Sequence, residues 1–280
     1  TRYWRDWSSD VCSSDLDNIF ARLNESVRDK DVFVVQSLST PLSDRIMELM
    51  IMLDACRRAS AGRITAVLPF YAYGRTDKRD QPRVPITARL LADMIQVAGA
   101  QQVITMDLHA GQIQGFFSIP VDELSAMSLM VRHYKERRID NLTVVAPDMG
   151  FAKRARNFAE QLNVPLAIVE KRHLHDIQPS DDSQVHVEAL NVIGEVAGRH
   201  CILVDDEVAT GSSLIAAAEL LIARGAAAVS AAVVHPILAG KALARLKNSP
   251  IDELVTTDSL PIADVHKYPN VRVLSISTQL

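Results

Sequence analysis

Between Ile202 and Ser213 the sequence runs from an apolar stretch into Asp205-Asp206-Glu207, and then through Val208-Ala209 into Thr210-Gly211-Ser212-Ser213, ahead of a helical period. Two carboxylates at the carboxyl end of a strand suit the hydroxyls of a sugar, held directly or through Mg²⁺. A turn of hydroxyls and backbone N–H groups at a helix amino terminus suits a phosphate. A ribose phosphate carries both kinds of group. The same residues also fit a plain strand end followed by a helix that Ser212 or Ser213 caps, so spacing alone leaves both readings open.

Four other places carry chemistry. His109, just beyond the apolar run ending at Met106, offers an imidazole to Mg²⁺ or to phosphate oxygens, although a lone histidine is more often structural. Asp148 follows a second apolar run, Leu142 to Ala146, and a proline. Tyr71 to Asp80 holds Arg75, Thr76, Lys78 and Asp80; alternating charges there fit a solvated loop, whereas Arg75 suits bidentate phosphate contact. Lys171 and Arg172 precede His173 to His186, a stretch with Pro179 and no apolar period, which reads as a mobile loop.

The segment Asp107-Leu108-His109-Ala110-Gly111-Gln112-Ile113-Gln114-Gly115-Phe116-Phe117 resembles, residue for residue, a signature of the ribose-phosphate diphosphokinases. Arg22 to Arg28 and Pro85 to Ala88 resemble other segments of that family, and the Asp205 to Ser213 stretch resembles its ribose-phosphate loop. That loop is shared with type I phosphoribosyltransferases; the His109 signature is not. The resemblance spans Ile19 to about Ser277.

The resemblance implies diphosphate transfer from ATP to ribose 5-phosphate, giving phosphoribosyl diphosphate and AMP for nucleotide biosynthesis. It places ATP on Arg75, Thr76, Lys78, Asp80 and His109, and Mg²⁺ on His109 and Asp148. Ribose 5-phosphate falls on Asp205, Asp206, Thr210, Gly211, Ser212 and Ser213. Lys171, Arg172 and His109 take the catalytic roles, the first two as basic residues of a lid over the transferred phosphates. It further implies an active site between two domains, completed by a neighbouring subunit, in a homo-oligomer of dimers assembling to a hexamer.

The sequence departs from the family pattern at several of these places. His173 stands where the lid, usually Lys, any residue, Arg, has its arginine, Ala209 where the ribose loop has a third aspartate, Phe151 where a second glycine follows Asp148, and Thr76 where a glutamine neighbours the ATP arginine. The first two motivate a rival reading, a catalytically weak paralogue acting as a regulatory subunit.

To position these residues the chain must supply strands ending just before each of them. From Asp31 onward, short β-branched runs alternate with segments of helical period, the pattern of α/β folds with parallel sheets wrapped by helices. The expectation is two phosphoribosyltransferase-like domains, each with a central mostly parallel sheet flanked by helices: residues 17–124 for ATP and 125–280 for ribose 5-phosphate. Leu90, Leu91, Met94, Ile95 and Ala98 predict one buried helical face, and Gly99, Asn163 and Gly225 sit where helices should stop. Residues 1–16, with Trp4, Trp7 and two Ser-Ser pairs, show no period and are set apart as a foreign or disordered segment resembling translated adapter sequence.

At 280 residues with 48% hydrophobic and 23% charged side chains and a net charge of −4, the composition is that of a soluble cytoplasmic protein without affinity for nucleic acid. No apolar run approaches the roughly 20 residues a membrane span needs. Three scattered cysteines give neither a disulfide framework nor a zinc motif.

Overall fold

The structure, a computed structural model, describes residues 12–13, 18–173 and 187–280. It divides into two compact units, Thr1–Ser125 and Ala126–Leu280. In the first, the short pair Cys12–Ser13 (β1) and Ile19–Phe20 (β2) precedes Asp31–Val35 (β3), Leu42–Arg58 (α1), Arg63–Leu68 (β4), Thr87–Ala98 (α2), Gln102–Met106 (β5), a 3₁₀ turn at Gly111–Phe116 and Val121–Leu124 (β6). Strands β3, β4, β5 and β6 form one parallel sheet in that order.

Central strands of a parallel sheet lose water on both faces, so their sequences are apolar throughout rather than alternating. In β4 every residue after Arg63 is buried. Helix α1 turns Leu49, Leu53 and Cys56 inward, at helical spacing. Helix α2 buries Ala88, Leu91, Ala92 and Ile95. Its expected stripe is therefore turned by about one residue: Leu90 is 54% exposed. Small Ala88 and Ala92 let the helix sit close to the sheet, and a pattern scored on bulk overlooks them.

The second unit runs Met127–Arg137 (α3), Leu142–Ala146 (β7), Ala152–Leu162 (α4), Leu166–His173 (β8), Val187–Ile193 (β9), His200–Val208 (β10), Ser212–Ala223 (α5), Ala228–Pro236 (β11), Ala242–Lys247 (α6), Glu253–Thr257 (β12) and Val271–Leu274 (β13). Its sheet order is β13-β12-β11-β10-β7-β8-β9, parallel except for the antiparallel edge strand β9. One face packs Val145, Leu203 and Ala231 against Leu214, Ala217 and Leu221 of α5. On α3 and α4, Tyr134 meets Phe158 edge-on with centroids 6.2 Å apart. Truncating a buried phenylalanine such as Phe158 to alanine typically costs about 3–5 kcal/mol.

Gly99, Asn163 and Gly225 do end helices, each with positive φ (129°, 57° and 85°). One expectation needs correction. Lys171 and Arg172 do not open a loop: β8 runs on through His173, where Lys171, Arg172 and His173 pair with Ala189, Glu188 and Val187 of β9 after a bulge at Glu170/Lys171. An antiparallel strand at a sheet edge need not be apolar throughout, so this extension of β8 carries no apolar run. Of the stretch read as a mobile loop, residues 174–186 lie outside the described residues, as do the side chains of 171–173. Most of the segment 1–16 lies outside them too.

Two histidines of the second unit are held uncharged by their surroundings. Burial pulls His133 below the ordinary imidazole value of 6.5; Glu253 and Glu136 oppose the shift, while Arg137 and Arg272 reinforce it. Burial likewise lowers His200, with Asp252 and Glu253 opposing and Arg137 reinforcing, and its Nε2 lies 3.2 Å from Ser230 Oγ. The unfolded chain therefore binds these protons first, and stability falls as pH drops through about 6.5 toward the lower folded values. Thermal melts between about pH 7.5 and 5.5 are expected to show Tm declining on acidification, with a shallower slope in His133→Gln. A Tm that is flat, or rises, over that interval would contradict the assignment.

Candidate functional site

In the first unit two segments far apart in sequence are built against each other. The first is the loop after β4, the second the segment after β5. Gly74 lies so close to His109 that a Cβ on residue 74 would stand 3.2 Å from the His109 Cβ. Gln112 Nε2 donates to Asp77 Oδ2 at 2.7 Å, a second tie between them. Tyr71 is buried and its hydroxyl donates to the Ala88 carbonyl at 2.8 Å, fixing the loop to α2.

Within the loop, the Thr76 hydroxyl and amide both donate to the Tyr73 carbonyl, at 2.8 and 2.9 Å, and Tyr73 has φ of 61°. Thr76 thus shapes the turn that presents Arg75. Arg75, Lys78 and Asp80 are exposed on it, and His109 is exposed beside it.

The segment after β5 is anchored from β6. The Leu108 amide donates to Glu123 Oε1 at 3.0 Å, and Gln114 Nε2 donates to Glu123 Oε2 at 2.6 Å. Asp107 sits at φ 39°; its amide donates to the Leu124 carbonyl at 2.9 Å and its carboxylate accepts from Ser125 Oγ at 2.7 Å. A non-glycine residue in left-handed backbone costs about 1–2 kcal/mol and persists only where surrounding contacts hold it. Here they set the direction in which the chain leaves β5 and so place His109. Glu123, Gln112 and Asp77 went unremarked as supports, and only contacts across three loops reveal them.

In the second unit the loops that follow β7 and β10 share one end of the sheet, because these strands are parallel neighbours. Asp148 and the Asp205 to Ser213 stretch come together there. Asp148 is half-buried and its Oδ1 accepts the Phe151 amide at 3.0 Å, so it also steadies the entry to α4. Strand β10 extends past the acids, to Val208. Asp205 is half-buried, and its Oδ1 accepts the Asp206 amide at 3.0 Å; Asp206 is buried, and its Oδ1 accepts the Glu207 amide at 2.9 Å.

Consecutive strand residues point to opposite faces. Asp206 accordingly turns toward α4, where Arg154 Nη1 stands 3.9 Å from its Oδ2, with side-chain exposures of 30% for Arg154 and 5% for Asp206. The Arg154 guanidinium also lies 5.7 Å from the centre of the Phe151 ring. Phe151 packs against the cation that faces the acid. Arg154 escaped notice in the sequence, since one arginine of a helix looks like any other until the strand beneath it is known.

The turn after β10 closes with Gly211 at φ 76°, the N-terminal neighbour of α5. Thr210 Oγ1 and Ser212 Oγ lie 3.2 Å apart, the Ser212 amide points to Thr210 Oγ1 at 3.4 Å, and Ser213 is half-buried beside them. The first amides of α5 and three hydroxyls thus gather where a helix dipole is positive, an arrangement that favours an anion.

Among the described residues no group of three or more His, Cys, Asp or Glu side chains gathers to hold a metal ion. No helix among the described residues is long and apolar enough to cross a membrane.

The Arg154–Asp206 pair makes a direct prediction. Arg154→Leu, which leaves a buried carboxylate without its cation, is expected to cost about 1–2 kcal/mol, below the range for fully buried pairs because the contact is loose and Arg154 partly wet. In urea unfolding the loss should largely vanish when Asp206→Asn is also present; simple additivity of the two changes would sink the pairing.

Comparison with known proteins bears on both units. Residues 9–99 match the N-terminal domain of ribose phosphate pyrophosphokinase, and residues 120–264 match the phosphoribosyl transferase domain. The chain is 48% identical over 257 residues to a ribose-phosphate pyrophosphokinase of Clostridium acetobutylicum, covering 91% of this chain and 78% of the relative. It is 50% identical over 262 residues to that of Bradyrhizobium diazoefficiens, covering 93% and 80%. A solved structure of phosphoribosylpyrophosphate synthetase from Mycobacterium smegmatis superposes with a TM-score of 0.87 at 39% identity, covering 97% of this chain and 87% of that one. With both domains matched and nearly half the residues shared, this chain belongs to the ribose-phosphate pyrophosphokinase (diphosphokinase) family.

Proposed function

We propose that the chain transfers the β,γ-diphosphate of ATP to the anomeric hydroxyl of ribose 5-phosphate, giving phosphoribosyl diphosphate and AMP. The observation that carries this reading is the joining of the 71–80 loop to the 107–117 segment through Gly74 on His109 and Gln112 on Asp77. Both segments resemble nucleotide-contacting parts of the family, and they converge on one surface.

In this reading Arg75 grips the ATP phosphates and His109 stands beside them, while Thr76 holds the turn and Lys78 and Asp80 flank it. Asp205 orients the sugar hydroxyls, while Asp206, expected from the sequence to share that role, is buried on the α4 side against Arg154 and supports the strand end from behind; the Thr210 to Ser213 turn takes the 5-phosphate. The anomeric oxygen attacks the β-phosphorus, the bond from that phosphorus to the α,β-bridging oxygen breaks, AMP departs with that oxygen, and the hydroxyl proton passes to water. Lys171 and Arg172 balance the charge that gathers on the diphosphate in flight, a job of positioning and electrostatics. His109 and Asp148 are the residues we assign to Mg²⁺, which when bound with the nucleotide neutralises phosphate charge.

The chain would work in the cytoplasm as a homo-oligomer, with no nucleic-acid or membrane partner. The regulatory-subunit reading rests on His173 and Ala209 alone, and the relatives matched are named as pyrophosphokinases.

The test is AMP release from Mg-ATP with and without ribose 5-phosphate. Sugar-dependent AMP is expected, reduced at least about a hundredfold in His109→Ala and in Asp205→Asn, the scale for losing a group that stabilises transferred charge or orients the nucleophile. Full activity in both variants would refute the site; AMP formation indifferent to the sugar would refute the reaction.

A further inference from the structure

We infer that Arg245, on α6, is a positioning residue for the phosphate turn: it fixes the Ser212 hydroxyl so that its proton faces the 5-phosphate of the sugar. The inference rests on the assignment of the Thr210 to Ser213 turn to that phosphate, and adds to it a residue outside the motif.

The geometry comes from the packing of α6 beneath the turn. Arg245 Nη1 donates to Ser212 Oγ at 3.2 Å, across 33 residues of sequence. Its neighbour Leu246 is buried and lies against Gly211, where an added Cβ would meet Leu246 Cγ at 3.4 Å. Arg245 Nε is itself buried with no hydrogen-bond partner among the described residues. A guanidinium held dry at one nitrogen is costly, and its direction is therefore set by the packing of its stem and by the contact its outer nitrogen makes.

The consequence is chemical. A hydroxyl has one proton and two lone pairs. With one lone pair of Ser212 taken by a cationic donor, its proton must turn elsewhere, either to Thr210 Oγ1 at 3.2 Å or outward to an anion at the amino terminus of α5. A hydroxyl that accepts a charge-assisted bond is polarised into a stronger donor. The guanidinium charge beside the helix terminus adds to the attraction for a phosphate dianion. Ser212 is thereby prepared before the sugar arrives, and Arg245 acts through it.

The experiment is steady-state kinetics of the full chain, with ATP and ribose 5-phosphate varied separately, for Arg245→Met, Ser212→Ala, the two combined, and Arg245→Lys. Arg245→Met is expected to raise the KM for ribose 5-phosphate about tenfold, the scale of one charge-assisted hydrogen bond. The KM for ATP should stay within about twofold and kcat should change little. The double variant should be no worse than Ser212→Ala alone, and Arg245→Lys should recover most of the loss. Should Arg245→Met fail to fold, Arg245→Gln carries the same expectation.

A rise in both KM values together with a fall in kcat, or losses that multiply in the double variant, would show that α6 merely props the fold, and would overturn the inference. So would an unchanged sugar KM in Arg245→Met when Ser213→Ala raises it. If Thr210→Val, Ser212→Ala and Ser213→Ala all leave the sugar KM unchanged, the phosphate-turn assignment itself fails, and the inference falls with it.

Discussion

A carboxylate buried at the end of a parallel strand governs the second unit. Asp206 is 4% exposed, and a buried charge persists only if something compensates the water it has lost. Here the compensation is the Glu207 amide and the Arg154 guanidinium. The first is local to β10; the second depends on the strand order, since β10 must lie beside β7 for α4, which follows β7, to arrive over the acid. The pairing that satisfies Asp206 also brings Asp148 to the same sheet edge. One electrostatic requirement thus explains why loops separated by more than fifty residues share a neighbourhood.

The first unit meets a different constraint by other means. Its candidate nucleotide residues are exposed and charged, and exposed charges on a loop contribute little to holding their own positions. Placement comes from beneath. Gly74 permits close approach to His109, Gln112 ties across to Asp77, and Glu123 receives both the Leu108 amide and the Gln114 side chain. The scaffold under these residues is assembled from amides, carboxylates and a missing side chain.

That division explains what could be read from the residues alone. Strands such as Arg63–Leu68 and Leu142–Ala146, buried on both faces, announce themselves as apolar runs, and Gly99, Asn163 and Gly225 mark helix ends because left-handed backbone excludes most other residues. The Asp205 to Ser213 stretch is equally plain, being local. The extension of β8 into its antiparallel pairing with β9 was not legible, since the segment Glu170 to His173 carries no apolar run. Leu90 misled for a related reason: size suggested burial, while Ala88 and Ala92 owned the tight face of α2. Arg154 and Arg245 stayed hidden because their meaning lies in contacts across 52 and 33 residues, which no local pattern encodes.

The two arginines stand in complementary relation to the ribose-phosphate stretch. Arg154 neutralises the buried acid from the α4 side, and Arg245 engages the turn from the α6 side. Neither belongs to the motif that suggests a sugar phosphate. On the proposed assignment the acid pair and the phosphate-binding turn would work against each other, because carboxylates repel a phosphate dianion. Placing one cation behind the acids and another behind the turn shields that repulsion from inside the protein, where screening by salt is weakest. The motif is therefore only half of the arrangement, and the helices that flank β10 supply the rest.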